Sequence, residues 1–275
     1  MITVEPDQTV RHFIASDGVQ LGCFVGGQGA PLLLVHGTAA DHQRWKPVLP
    51  ELQKRFTTYA YDRRGQGATG DAPDWSFDRE AEDIVTVIEG IGGPVDVLGH
   101  SMGAALSMVA ATRTSAIRRL VLYEPALVVM PADFLDGILP RLRALLEDGD
   151  RDVLVQTFMR EVPGLPQEQV QLLRSLPAWQ GRLAAAHTLV RELESGRTFR
   201  FEAEHVSQIH VPTLLLLGGA SPQFLKAGVE QVHQVISGSR VVVMPGQQHV
   251  AMDTGPQLFL DAVLSFLDLC DLQLA

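Results

Sequence analysis

The stretch Asp96-Val97-Leu98-Gly99-His100-Ser101-Met102-Gly103-Ala104-Ala105 sets one serine between two glycines, where an apolar run gives way to small helix-forming residues. A strand-like segment, Val95 to Leu98, enters the stretch, and a helical pattern, Met102 to Thr112, leaves it. So sharp a bend imposes strained dihedrals on its central residue, and neighbours without a Cβ let adjacent chains pass closely. A serine on such a bend presents its hydroxyl at a sheet end, with the first free amides of the next helix aimed at the same place. Ser101 is therefore the candidate nucleophile, and the N–H of Met102 the first candidate oxyanion donor.

Outward from this bend, apolar runs alternate with helical patterns, as in parallel strands joined by crossover helices. Strands are expected at Val10 to Ile14, Val19 to Val25, Pro31 to Val35, Thr57 to Tyr61, Val95 to Leu98, Arg119 to Tyr123, Thr213 to Leu217 and Arg240 to Met244. The last six of these eight read as buried on both faces. Helices are expected at Asp78 to Ile91, Met102 to Thr112, Pro222 to Ile236 and Pro256 to Leu269. From Pro125 to Val206 no strand-like run occurs. Instead Phe134 to Leu146, Asp152 to Val162, Gln167 to Ser175 and Gly181 to Leu193 read as helices. The expected organisation is a core of residues 1–125 and 207–275, with residues 126–206 as a helical cap after the sixth strand. Some cap side chains must face the sheet, and Phe134, Phe158, Trp179 and His187 are the candidates for substrate contact.

The chain has 275 residues, 46% of them hydrophobic, enough to bury a large core in one α/β domain. A formal charge of −10 with no basic stripe argues against nucleic acid or an anionic membrane surface as partner. The first ten residues, MITVEPDQTV, lack the basic and apolar regions of a secretory signal, and no stretch is apolar for long enough to span a bilayer, so a cytoplasmic address is expected. Cys23 and Cys270 lie at opposite ends without metal spacing; both read as buried thiols, and no metal or organic cofactor is expected.

The strand PLLLV ends in His36-Gly37-Thr38, where the N–H of Thr38 is the candidate second oxyanion donor and His36 reads as a buried organiser of the loop. The charged turn Asp62-Arg63-Arg64-Gly65-Gln66-Gly67 reads as structural. Among nine histidines, His249 is the candidate base: it follows the strand RVVVM on a glycine-bearing loop, so it would project from the same sheet edge as Ser101. His100 reads as a packed side chain.

In order, HGT, DRRGQG, GHSMG, LVLYEP, VPTLLLLGG and PGQQHVAMD resemble the α/β-hydrolase superfamily with an inserted helical lid, over nearly the whole chain. The resemblance implies an α/β-hydrolase fold, a mostly parallel eight-stranded sheet flanked by helices, and a Ser, acid, His triad in chain order. Ser101 matches the nucleophile, His249 the base, and Met102 and Thr38 the oxyanion donors. The acid departs from the pattern. The usual position follows TLLLL, but here the loop reads Gly218-Gly219-Ala220-Ser221-Pro222-Gln223-Phe224. Glu124, at the end of RLVLY, is the replacement, since some members place their acid there. Asp253 reads as a helix N-cap, and Ser221 could at most accept a hydrogen bond from the imidazole. The expected activity is hydrolysis of a small or medium apolar ester, lactone or thioester. A lyase or cyclase, or a ligand-binding protein on the same scaffold, remains the alternative.

Overall fold

The computed structural model describes residues 9–126, 132–195, 198 and 200–272, apart from the side chains of residues 132 and 269–272, so the reading of the Cys270 thiol lies outside what is described. Cys23 is buried.

Among the described residues eight strands form one sheet: β1 (Thr9–Ile14), β2 (Gln20–Gly26), β3 (Ala30–Val35), β4 (Phe56–Tyr61), β5 (Val95–His100), β6 (Ile117–Tyr123), β7 (Thr213–Gly218) and β8 (Arg240–Met244). Their order is β1-β2-β4-β3-β5-β6-β7-β8, with only the β1–β2 and β2–β4 pairings antiparallel. β3 shows why the central strands read as continuous apolar runs. Leu33 and Val35 join one buried layer while Leu32 and Leu34 join the other, because alternate side chains of a strand point to opposite faces.

The helices α1 (Leu49–Gln53), α2 (Phe77–Ile91) and α3 (Met102–Ala111) follow β3, β4 and β5. Ser76 caps α2 by accepting from the Arg79 N–H, and Gly92 ends it at a left-handed φ of 83°. Between β6 and β7 the regular elements among the described residues are all helical: α4 (Ala132–Glu147), α5 (Arg151–Glu161), α6 (Gln167–Ser175), α7 (Trp179–Ala184), a 3-10 turn (Ala185–Thr188), α8 (Leu189–Ser195) and α9 (Ala203–Val206). After β7 come α10 (Gln223–Val235), α11 (Ala251–Thr254) and α12 (Pro256–Leu272). The inserted helices have their own apolar core, in which Leu139, Leu154, Phe158 and Leu189 pack with Ala39 and Val250 of the main body.

Two expectations need correction. The segment expected as one helix over Gly181–Leu193 is broken by the 3-10 turn at Ala185–Thr188. β8 is not buried on both faces: it is the edge strand, and Val242 and Val243 are exposed. A β-branched run has the same pattern in an edge strand as in a central one, and only its neighbours decide which it is. Among the described residues no helix is long and apolar enough to cross a membrane.

Candidate active site

Ser101 stands between β5 and α3 at φ 56°, ψ −120°, a conformation that costs energy for any residue with a Cβ. Its neighbours show why the bend needs glycine. A Cβ at Gly99 would lie 2.6 Å from the Ala104 Cα, and one at Gly103 would lie 2.3 Å from the carbonyl oxygens of Val35 and His36. Gly37 serves the same end from β3, since a Cβ there would meet the Ser101 Cβ at 2.9 Å. The bend is clamped on both sides, with Ser101 N–H donating to Tyr123 O at 2.9 Å and Ala126 N–H to Ser101 O at 3.1 Å.

Glu124 leaves β6 at φ 43° and is wholly buried. Its carboxylate receives three donors: His249 Nδ1 at 2.6 Å on Oε2, and Gly218 N–H at 2.7 Å with Ser221 Oγ at 2.5 Å on Oε1. Ser221 thus donates to Glu124 rather than accepting from His249, which corrects the expectation for it. The loop after β7, although it lacks an acid, supplies the donors that hold one rooted on β6. Asp253 also differs from expectation. It lies within α11 rather than at its N-cap, and pairs with Arg44.

The side chain of His249 is 8% exposed. With Nδ1–H given to a carboxylate, Nε2 carries the lone pair, the tautomer a general base requires. Its loop is fixed by Tyr123, whose hydroxyl donates to Gln248 O and accepts from Ala251 N–H at 3.1 Å. His100 Nε2 donates to the His249 carbonyl at 2.9 Å. Ser101 Oγ and His249 share no hydrogen bond among the described residues, but both line one cavity, together with Gly37, Thr38, His100 and Met102. Among the described residues neither the Met102 nor the Thr38 backbone N–H has a hydrogen-bond partner.

His36 and His100 are buried neutral. Burial first, then Arg63, pushes the His36 pKa well below its ordinary value; burial and then His249 do the same to His100. His36 accepts from the Arg63 N–H at Nε2 and donates Nδ1–H to Gly37 O, holding the loop that carries Thr38. As pH falls through about 6.5 the unfolded chain takes up two protons that the folded chain refuses, so stability, full above that pH, declines by about 2.7 kcal/mol per pH unit from this pair. Urea unfolding at pH about 7.5 and about 5.5 should reveal the slope. A midpoint constant over that range would contradict the neutral burial.

The inserted helices contribute Phe158, Met159, Arg182 and Glu192 to the cavity wall. Of the four side chains expected there, only Phe158 lines it. His187 is exposed, bonds Ala184 O at 2.9 Å and lies 3.9 Å from Asp71. Trp179 is buried in the core of the insertion with Nε1–H on Asp152 Oδ1 at 2.8 Å. Phe134 packs against that same core. His187 lies within the 3-10 turn, so the facing expected of it on a continuous helix does not hold. Sequence reasoning misses Arg44, Arg182 and Glu192, because a buried charge has no periodic signature in one sequence. Glu192 is bound through Thr38 Oγ1 (2.7 Å), Arg63 Nη1 (3.1 Å), Gln66 Nε2 (2.7 Å) and Thr188 Oγ1 (2.9 Å), and so ties α8 to the Thr38 loop. No cluster of His, Cys, Asp or Glu that could hold a metal occurs among the described residues.

This architecture is similar to that of an alpha/beta hydrolase from Sphaerobacter thermophilus, with TM-score 0.80, 32% identity, and coverage of 94% of this chain and 100% of that one. In sequence, 2-(acetamidomethylene)succinate hydrolase of Mesorhizobium japonicum is 25% identical over 250 residues, covering 88% of this chain and 89% of the relative. 2-Hydroxy-6-oxo-6-(2'-aminophenyl)hexa-2,4-dienoic acid hydrolase of Metapseudomonas resinovorans is 25% identical over 279 residues, 94% of this chain and 91% of its own length. These relatives are hydrolases, and the model of the alpha/beta hydrolase family matches residues 32–262. On that match, and on the eight-stranded sheet with Ser101 and Glu124 directly after β5 and β6 and His249 on the loop after β8, the chain belongs to the alpha/beta hydrolase family.

Proposed function

We propose that the protein is a serine hydrolase that cleaves an ester, lactone or thioester of small or medium size through an acyl-enzyme on Ser101. The observation that carries this reading is the 2.6 Å bond from His249 Nδ1 to buried Glu124, which leaves Nε2 as acceptor in the cavity that Ser101 also lines. Ser101 Oγ attacks the substrate carbonyl carbon while His249 Nε2 takes its proton. The N–H groups of Met102 and Thr38 hold the resulting oxyanion, and the helix α3 dipole adds to them. Collapse expels the leaving alcohol or thiol, which takes the proton from His249. Water, deprotonated by the same nitrogen, then attacks the acyl carbon and releases the acid and free Ser101. Residues 126–206 act as a lid, whose Phe158 and Met159 wall the acyl chain.

A fluorophosphonate probe tests this directly. Mass spectrometry should find one adduct, on Ser101, and none in Ser101→Ala, with turnover of a p-nitrophenyl ester panel lost in the same variant. A protein that never labels is a ligand binder on this scaffold, and one that labels without turning over any ester points to lyase or cyclase chemistry.

A further inference from the structure

The cavity that holds Ser101 is not apolar throughout. Arg44 and Arg182, 3% and 6% exposed, both line it. A buried guanidinium is ordinarily matched by carboxylates that use most of its donors. Elsewhere in this chain that rule is kept through one particular edge. The Nε and Nη2 groups of Arg63 grip Glu80, those of Arg64 grip Asp83, and those of Arg118 and Arg119 grip Asp96, at 2.6–3.0 Å. In Arg44 only Nη1 is engaged, by Asp253, while Nε and Nη2 are buried without a partner. Arg182 has a hydrogen bond from Nη1 to Ala39 O at 3.0 Å and no ion pair among the described residues.

The nearby acids do not fill these positions. Asp41 accepts from Gln43 N–H at 2.9 Å and Gln43 Nε2 at 3.2 Å, and burial raises its carboxyl pKa. Glu192 is taken by Thr38, Arg63, Gln66 and Thr188. Burial and the neighbouring Arg44 lower the Arg182 pKa to about 10, so the side chain remains a cation at neutral pH.

We infer that Arg44 and Arg182 form a carboxylate-binding subsite in the cavity of Ser101, and that the substrate is an acyl compound bearing a second, ionised acid group. A rotation of the Arg44 side chain at the cavity wall would turn its unpartnered Nε and Nη2 to a planar carboxylate, which matches that edge as Glu80 matches that of Arg63 and gives Arg182 a direct ion pair. The same carboxylate remains unreacted, because Ser101 attacks the other carbonyl of the molecule. This inference rests on the serine-hydrolase reading for the reaction, but not for the binding.

The test compares p-nitrophenyl half-esters of succinate, glutarate and adipate with neutral esters in which an isopropyl group replaces the free carboxylate. The best half-ester should exceed its neutral counterpart in kcat/KM by about thirtyfold, the scale of charge-assisted hydrogen bonds to a buried acceptor. Arg44→Gln and Arg182→Gln should collapse this ratio toward one. Arg182→Lys, which keeps the charge without the planar fork, should restore only part of it. Equal or better use of the neutral esters, or a preference that survives both Gln substitutions, overturns the inference. Calorimetric titration of Ser101→Ala with succinate, glutarate and adipate separates the two readings. A dicarboxylate that binds there and not to Ser101→Ala/Arg182→Gln supports the subsite even if no ester is ever turned over. Absence of binding at millimolar concentrations by any of the three rejects it, whatever the probe does at Ser101.

Discussion

On the serine-hydrolase reading, Glu124→Gln should lower kcat for ester hydrolysis by about four orders of magnitude while the fold stays intact. The reason lies in the donors around the side chain. Oε1 receives both the Gly218 N–H and the Ser221 hydroxyl, so an amide in this position turns its carbonyl oxygen to them. Its NH2 group then faces His249 Nδ1, where Oε2 stands now. An amino donor requires Nδ1 to accept, which moves the imidazole proton to Nε2, and that nitrogen can no longer take the proton of Ser101. The loss therefore appears in kcat under saturating substrate, with an unchanged urea midpoint as control. A loss below about tenfold would remove Glu124 from the catalytic machinery.

Arg63→Met destabilises the protein by about 3–5 kcal/mol. The guanidinium sits between Glu80 and Glu192, all three buried, and receives the carboxylates of both α2 and α8. Burial alone would lower its pKa, but Glu192 and Glu80 outweigh burial and raise it, so the charge is held firmly. Methionine fills much of the volume but leaves two carboxylates facing each other in a low-dielectric interior, where removing one partner is far costlier than never having built the cluster. Urea denaturation should show the midpoint fall, and a change within about 1 kcal/mol would refute the argument. The exposed pair of Arg141 with Glu161 is the contrast: Arg141→Met should leave the midpoint nearly where it was. Arg63→Met should also slow turnover, since Glu192, which loses its bond from Arg63 Nη1, links α8 to Thr38.

Much of this architecture is legible in the order of the residues. Strand runs such as PLLLV and TLLLL mark buried central strands because both their faces meet apolar layers. The bend at Ser101 is legible because its glycines answer a local steric demand. Glu124 and His249 can be placed at strand ends from the runs that precede them, which follows from the edge rule of parallel sheets. The loop after β7 shows in sequence only that it lacks an acid. Its actual part, two donors to Glu124, depends on the distance between two loops.

What the chain by itself determined, then, was whatever depends on neighbours in sequence: element type, the bend at Ser101 and the order of its candidate partners. Only tertiary structure decided which face of each inserted helix meets the cavity, so that Phe158 lines it while His187, Trp179 and Phe134 do not. It also decided that β8 lies at an edge and that the arginines at 44 and 182 share one largely apolar enclosure. The physical reason is that facing and burial depend on the packing of segments distant in sequence, and an arginine has the same local signature whether water or a closed cavity surrounds it.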